Sequence, residues 1–472
     1  MLKIYNTLSG NKENFKNRGG KKVNLFVCGP TVYDYSHVGH ARTYVIFDVI
    51  VKYLKQMGFR VFYLQNITDI DDKIIARAKE KNTTSKLLAK EFEKEYKKNM
   101  KELSVNSVTR YAKATLHIKE IIKQVERLLK KGYAYQLNDG IYYDISRFKD
   151  YGKLSRRTSL QAEDAVSRID ENLEKRNKGD FCLWKFSKPE DPQWKSPWGK
   201  GRPGWHIEDT AITEKFFGPQ YDIHGGAKDL IFPHHEAEIA QMEAISGKSP
   251  LVKYWMHTGF LTVEGQKMSK SLGNFITINN FLGENSSRLL RLLIVKSHYR
   301  SPLDFSQNLI FQTKNELSRI DEFTDKIKIF KEPLLMDKRE KRISRMDLPG
   351  FEKRFQEAME DDFNTPKAIA VIFDLISKAN GLIDKDELFK KDAKNILNFF
   401  KLIDKSFCFI LTDRPKEIIP QEVQNLVKER EECRKNQEWQ KADEIREKIK
   451  DSGYLVEDTE EGPKIRTLPN RR

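Results

Sequence analysis

Cysteine is scarce in this sequence: Cys28, Cys182, Cys408 and Cys433 are spread over 472 positions. Four scattered thiols cannot staple a small core, which excludes a disulfide-built extracellular fold. Long apolar runs are missing as well. No stretch reaches the roughly 18 apolar residues of a membrane span. The opening residues run into Asn11-Lys12-Glu13-Asn14 without the apolar segment of a secretory signal. These absences point to a cytoplasmic protein with no membrane partner. Disorder is excluded by the 39% hydrophobic content, which is enough to build cores. Negative charge is in deficit: 85 Lys and Arg face 69 Asp and Glu, leaving +16. That excess suits a polyanionic partner such as nucleic acid, and a Lys-rich genome would also produce it.

What is present alternates between strand and helix patterns. Val23-Asn24-Leu25-Phe26-Val27 is a short apolar run ended by Cys28-Gly29-Pro30, as in a buried strand. Val45, Ile46, Val49, Ile50, Tyr53, Leu54 and Met57 recur at helical spacing up to Gly58, and Val61-Phe62-Tyr63-Leu64 supplies the next strand. Strand, helix and strand make a βαβ unit and hence a parallel sheet. A second unit runs from Tyr221-Asp222-Ile223 through Gly225-Gly226 and a helix near 234–245 to Val252-Lys253-Tyr254-Trp255-Met256. Between the two units, Ile118 to Leu129 read as an amphipathic helix closed by Gly132.

The expected fold is therefore α/β, a Rossmann-like parallel-sheet domain split by an insertion. Its first half spans 1–134, the connective insertion 135–204 and its second half 205–260, followed by a lysine-loop region over 261–310. Strand signals fade beyond residue 310, so a helical bundle over 311–415 and a small domain over 416–472 are expected, with a last helical stretch over about 421–450. Pro415 and Pro420 bracket a linker, and the charged stretch 325–345 reads as a solvated helix face and linker. No internal repeat is present.

Two clusters carry chemistry. The stretch Pro30-Thr31-Val32-Tyr33-Asp34-Tyr35-Ser36-His37-Val38-Gly39-His40 lies between the first strand and the first helix, where open α/β sheets bind ligands. A helix amino terminus offers N–H groups and a positive dipole end to phosphate. His37 and His40 can add donors to the same anion, and Gly39 leaves room for close approach. Two histidines so placed would equally serve as a polar helix cap. Lys267-Met268-Ser269-Lys270-Ser271 puts Lys267 and Lys270 on a loop suited to neutralising charge that develops in phosphate transfer. The plainer alternative is an exposed basic loop.

Together these clusters resemble the paired signature of class I aminoacyl-tRNA synthetases. Longer stretches resemble the cysteinyl-tRNA synthetase family from end to end. They are Cys28-Gly29-Pro30-Thr31-Val32-Tyr33-Asp34, Asn66-Ile67-Thr68-Asp69-Ile70-Asp71-Asp72-Lys73, Gly204-Trp205-His206-Ile207-Glu208, Phe232-Pro233-His234-His235-Glu236 and Asp361-Asp362-Phe363-Asn364-Thr365-Pro366. The resemblance implies a two-step ligase. The carboxylate of L-cysteine attacks the α-phosphate of ATP, giving cysteinyl adenylate and pyrophosphate. The 3′-terminal adenosine of the tRNA specific for cysteine then takes the cysteinyl group. It implies catalytic roles for His37, His40, Lys267 and Lys270, which bind ATP together with Gly39, and an amino-acid pocket formed by Gly29, Thr68, Trp205, His206 and Asp229. For Asp229 and His224 a structural role is the alternative. Mg2+ would accompany ATP, and a monomer is expected.

One Zn2+ per chain is implied too, held by Cys28, Asp209, His234 and Glu238 and binding the substrate thiolate. Members of the family usually have cysteine where this chain has Asp209. The exchange keeps a negative ligand but replaces soft sulfur by oxygen, which predicts lower zinc affinity or altered geometry. The alternative is a decayed site in which Cys28 is an ordinary strand cysteine. His234 and Glu238 stand four apart, on one helix face. A thiolate-binding metal would reward a chemistry that serine lacks, whereas shape alone separates near-isosteres by only about 10²-fold.

The stretch from Arg430 to Arg446 is similar to the family's anticodon-binding segment. Arg430, Arg434 and Arg446 are the expected tRNA contacts, and Trp439 the expected anchor of a small core. Cys182 and Cys408 read as small core residues, and His117, His257 and His298 as structural. Two other functions stay open on the sequence. One is a catalytically silent RNA-binding relative, which Asp209 favours. The other is a cysteine:amino-sugar ligase on the same catalytic fold, which residues 420–472 disfavour.

Overall fold

Five strands, all parallel, form the central sheet: β1 (Lys22–Val27), β2 (Arg60–Ile67), β3 (Arg110–Lys113), β4 (Tyr221–Ala227) and β5 (Val252–Thr258). Their order is β5-β4-β1-β2-β3. The computed structural model describes residues 1–157, 172–269, 272–331, 345–412, 420–459 and 462–467. Strand order reverses at β1, which lies between β2 and β4. The crevice beyond the carboxyl ends of β1 and β4 is thus the ligand position of the fold. There the Cys28 N–H donates to the Gly225 carbonyl at 3.1 Å.

The period of two in β1 decides what faces what. Leu25 and Val27 point into a core built with helix α1 (Val38–Gln56) and the helical bundle. Phe26 and Cys28 point the other way, into a core shared with Ile212, Ile239 and Met242. Those three residues lie on α3 (Ile207–Phe217) and α4 (Glu236–Ser246), and α2 (Ile118–Lys130) packs beside both. Helix α1 starts seven residues earlier than its apolar repeat suggests, because His37 caps it, and it ends before Gly58 at φ +88°. Gly225 is required by packing: a Cβ there would sit 2.2 Å from the Phe47 ring of α1.

Between the halves stands an antiparallel sheet ordered Ala134–Gln136, Gly140–Tyr143, Phe181–Phe186, Gly199–Pro203 and Trp194–Ser196. After β5, the strands Leu261–Val263, Gln266–Lys267 and Leu303–Phe305 make a small sheet. Helix α5 (Ser287–Val295) precedes the last of these. The bundle follows: α6 (Gln307–Lys328), α7 (Leu348–Glu360), α8 (Thr365–Ile383) and α9 (Lys390–Phe407). No helix among the described residues is long and apolar enough to cross a membrane.

Beyond the bundle the structure departs from the expectations at the returning strands, at Trp439 and at Cys408. The helical stretch near 421–450 is two helices, α10 (Gln421–Lys435) and α11 (Trp439–Asp451), separated where Gln437 adopts φ +60°. Strands return as a hairpin, β6 (Tyr454–Thr459) against β7 (Gly462–Thr467). Val423, Val427, Ile445, Ile449 and Val456 fill the core of this unit. Trp439 is 60% exposed and anchors nothing. Cys408 is half-buried at the left-handed carboxyl cap of α9 rather than in a core. Pro415 and the charged residues 338–342 lie outside the described residues.

One buried ion pair ties α5 to α1 and, through the carboxyl end of α9, to the bundle. Arg291 of α5 meets Asp48 of α1 at 3.0 Å, and also donates to the carbonyls of Leu103 (2.8 Å) and Phe407 (2.7 Å). Asp48 in turn accepts the backbone N–H groups of Asn106 and Ser107. Removing one member leaves a buried charge unpaired. Asp48→Ala is expected to lower unfolding free energy by about 3–5 kcal/mol, measured by denaturant unfolding; a change below ~1 kcal/mol would contradict this role.

Candidate active site

Four side chains from three elements meet in the crevice. Cys28 follows β1 on the face covered by α3 and α4. Asp209 lies in the first turn of α3, on the side of Ile212, which points at the sheet. Glu238 shares its face of α4 with Met242, and His234 sits in the wide turn that leads into α4. His234 Nε2 lies 2.9 Å from Asp209 Oδ2 and 3.3 Å from Glu238 Oε1. Cys28 Sγ lies 3.5 Å from Asp209 Oδ2 and 3.9 Å from Glu238 Oε1. All four residues are buried, with donor atoms within 4.8 Å of one another.

These residues fit a divalent cation. Bond lengths of about 2.0–2.3 Å put tetrahedral donors roughly 3.3–3.8 Å apart, close to the separations found. Asp209 Oδ1 and Glu238 Oε2 are buried oxygens without a hydrogen-bond partner, a costly state unless a proton or cation answers them. Burial, then the charges of Asp209 and Glu238, push the Cys28 thiol well above its usual range. Burial and Asp209 raise the Glu238 carboxyl likewise.

Imidazoles back this cluster on every side. His234 Nδ1 is 2.7 Å from His206 Nδ1, which fixes the ring so that Nε2 faces the carboxylates. On the far side of Cys28, its sulfur lies 3.3 Å from His224 Nε2 and 3.1 Å from His235 Nε2. Those rings are held by Tyr221 (2.7 Å) and by His257 (2.8 Å), itself bonded to Thr7 (2.8 Å). Cys28, His224, His235 and Glu238 form a second group able to hold a metal. Burial lowers the pKa values of His206, His224 and His235 well below the usual imidazole range. His235 received no role from the sequence, although the His234-His235 pair was its signal. Glu236, next to them, is a structural anchor whose carboxylate accepts the N–H groups of Leu154 and Ser155 at 3.1 and 2.8 Å.

The expected pocket residues divide. Trp205 stacks on the His234 ring, centroids 4.9 Å apart, and His206 touches both. Thr68 donates to the buried Glu208 carboxylate, which the sequence did not assign. Gly29 has a packing reason of its own: a Cβ there would fall 1.8 Å from the Asn66 carbonyl. Asp229 is exposed on a short turn after β4, not gathered into the buried cluster.

His37 and His40 stack at the start of α1, ring centroids 3.8 Å apart. The cap reading holds: His37 Nδ1 accepts the Gly39 N–H at 3.1 Å, and His40 Nδ1 accepts the His37 N–H at 3.4 Å. Both bonds place the neutral-ring proton on Nε2, leaving each ring an Nε2–H donor. Desolvation and His37 hold the His40 pKa well below its ordinary value. Gly39 is needed by His37 itself, since a Cβ would sit 2.8 Å from its Nδ1. Lys267 is exposed at the end of its strand, and Asn274 braces the turn by accepting from Ser269 N at 2.8 Å and donating to the Lys267 carbonyl at 3.2 Å. Lys270 lies outside the described residues.

Of the three arginines expected to meet RNA, Arg430 is corrected. It is 4% exposed and forms a fork with both carboxylate oxygens of Asp458 at 2.9 and 3.0 Å, so it pins α10 to β6. Arg434 is half-buried and also pairs with Asp458. Arg446 is exposed.

Comparison with known proteins places the chain in a family. Residues 14–315 match the family described as tRNA synthetases class I (C) catalytic domain, residues 354–405 the DALR domain, and residues 417–466 the cysteinyl-tRNA ligase anticodon binding domain. The cysteine–tRNA ligases of Thermococcus onnurineus and Thermococcus gammatolerans are 43% and 44% identical, each aligned over 98% of both chains. This chain belongs to the cysteine–tRNA ligase family. Among solved structures, the methionyl-tRNA synthetase of Mycobacterium tuberculosis with methionyl-adenylate is similar in fold. Its TM-score is 0.60 at 15% identity, over 82% of this chain and 90% of that one. The LeuRS of Agrobacterium radiobacter K84 in its ternary complex gives 0.62 at 11% identity, over 83% and 84%.

A cation must displace protons to enter this ligase-family site. With its pKa raised, the metal-free Cys28 thiol is protonated at neutral pH, while a ligand must be thiolate. Uptake of a divalent transition-metal ion is expected to release protons and to tighten as pH rises. Calorimetry in buffers of different ionisation enthalpy measures the release; a heat independent of buffer would contradict it.

Proposed function

We propose that this chain activates L-cysteine with ATP and transfers the cysteinyl group to the 3′-terminal adenosine of the tRNA specific for cysteine. The observation that carries the reading is the convergence of Cys28, Asp209, His234 and Glu238 at the sheet's ligand crevice, one strand-to-helix turn away from His37 and His40. Cys28, Asp209, His234 and Glu238 would hold zinc, which when bound supplies Lewis acidity toward a thiolate sulfur, a chemistry to which a hydroxyl responds poorly. Asp209 keeps the anionic charge of the family's usual cysteine while making the donor set harder, so zinc would be held less selectively. His206 orients His234, and Trp205 closes over that ring.

For the first step, cysteine's carboxylate oxygen attacks the α-phosphorus and the bond to pyrophosphate breaks. His40 is kept neutral by desolvation, so its Nε2–H donates to a phosphate oxygen without a charge to be solvated first, and the stacked His37 ring adds a second donor. Lys267 and Lys270 neutralise the leaving pyrophosphate, and Mg2+ enters with ATP. In the second step a ribose hydroxyl attacks the adenylate carbonyl and AMP leaves. On the anticodon side, exposed Trp439 and Arg446 of α11 offer a stacking face and a cation to unstacked bases. The cysteine:amino-sugar ligase reading does not account for the anticodon-binding match over residues 417–466.

Cysteine-dependent exchange between ATP and pyrophosphate, followed by aminoacylation on adding tRNA, tests the proposal. Cysteine is expected to outperform serine by well over the about 10²-fold that shape alone provides. Lys270→Ala is expected to slow exchange by about 10²-fold or more while the KM for cysteine stays within about twofold. Equal exchange with serine, or none with cysteine, would overturn the assignment.

A further inference from the structure

Arg42 stands two residues beyond His40 on α1 and is 1% exposed. Buried cations normally find a carboxylate, yet among the described residues this guanidinium meets only main-chain carbonyls. Nη1 donates to Gly259 at 2.9 Å and Phe260 at 2.6 Å, and Nη2 donates to Ser301 and, at 3.5 Å, to Tyr299. Burial lowers its pKa to about 10, so it remains charged at neutral pH.

Those four carbonyls belong to two turns. The first leads into Leu261–Val263, the second into Leu303–Phe305, and these two strands pair in parallel. Leu261–Val263 also carries Gln266–Lys267 as its hairpin partner, with Thr262 opposite Lys267. The turns touch directly: Gly259 N donates to the Tyr299 carbonyl at 2.7 Å, and a Cβ at Gly259 would lie 2.3 Å from the Ser301 oxygen. The far end of the same segment returns to the start of α1, where Val38 N donates to Ile276 O at 3.1 Å and Ile278 N to Ser36 O at 2.8 Å. The segment bearing Lys267 is therefore fastened to α1 at both ends, by backbone at one and by side chains at the other, where Arg42 holds both turns and Thr43 meets Thr258 at 2.9 Å.

We propose that Arg42 is a positioning residue for adenylate formation: it fixes the root of the Lys267 hairpin on the helix that carries His37 and His40, so that imidazoles and lysine address one triphosphate. The proposal rests on the nucleotide roles assigned above. Guanidinium suits the task because its planar fork reaches two turns at once, whereas an ammonium is a point charge. If packing alone mattered, an apolar side chain would fill the space without burying a cation. Misplacing a catalytic group by an ångström costs up to about 10²-fold in rate.

The test compares Arg42→Lys with Arg291→Lys, a second buried arginine whose partners, Asp48 among them, lie away from the hairpin. Each full-length variant is assayed for cysteine-dependent exchange well below its melting temperature, and for the rate of tryptic cleavage after Lys267. Arg42→Lys is expected to lose about 10–100-fold in kcat, keep its KM for cysteine within about twofold, and be cut faster after Lys267. Arg291→Lys is expected to melt earlier yet keep its kcat. Gly259→Ala, which pushes the turns apart with Arg42 intact, should reproduce the loss of kcat, and it decides the question if Arg42→Lys does not fold. Unchanged kcat and cleavage in the folded variants, or equal losses in Arg291→Lys, would overturn the proposal. Absence of exchange in the unmodified protein would instead overturn the function on which it rests.

Discussion

Two carboxylates and a thiol, all buried, share one small volume with an imidazole nitrogen, and the surrounding architecture can be read as what that arrangement requires. Acidic groups held this close in low dielectric raise one another's pKa until protons or a cation settle the charge. The alternation of β1 sends Cys28 to the α3 and α4 face, where those helices bring Asp209 and Glu238 to meet it. His224 and His235 stand behind, each with its second nitrogen engaged, and His206 holds the His234 ring, so the donors are held in place before anything binds. A protein that needed only a stable core would fill the same space with apolar side chains at lower cost.

Asp209 stands where the family resemblance implies a cysteine. It retains an anionic donor at the same position, and its second oxygen, Oδ1, is left without a hydrogen-bond partner. With a single thiolate from the protein, a cation held here would rely on imidazole and carboxylate, which suit a wider range of divalent ions than a two-thiolate site does. Under the proposed function, selectivity for a sulfur-bearing substrate would then fall more heavily on the substrate's own thiolate.

Periodicity carried much of the fold. The apolar runs of β1, β2, β4 and β5 and the repeat along α1 are visible because burial on both faces leaves near-continuous hydrophobic sequence. The four-residue edge strand β3 offers no such run. The β6–β7 hairpin was missed because its short strands mix apolar and charged residues. Arg430 illustrates a different limit: an arginine on a charged helix looks solvated until a strand 28 residues later supplies Asp458. In the site, local spacing linked only His234 to Glu238. Cys28 and Asp209, 181 residues apart, were joined by likeness to a family, since no periodicity spans an inserted domain. The backing histidines and the Arg42 clasp need coordinates, because carbonyls accept the same way in every sequence.

The account stands on the claim that Cys28 and its three companions surround one ion to which a cysteine sulfur can be added. X-ray absorption at the zinc edge of metal-loaded protein, without and with L-cysteine, measures this directly. The account predicts a shell of mixed nitrogen and oxygen with about one sulfur, rising to about two when cysteine is added and unchanged by serine. A sulfur count that does not respond to cysteine, or a shell containing no protein sulfur, would contradict it.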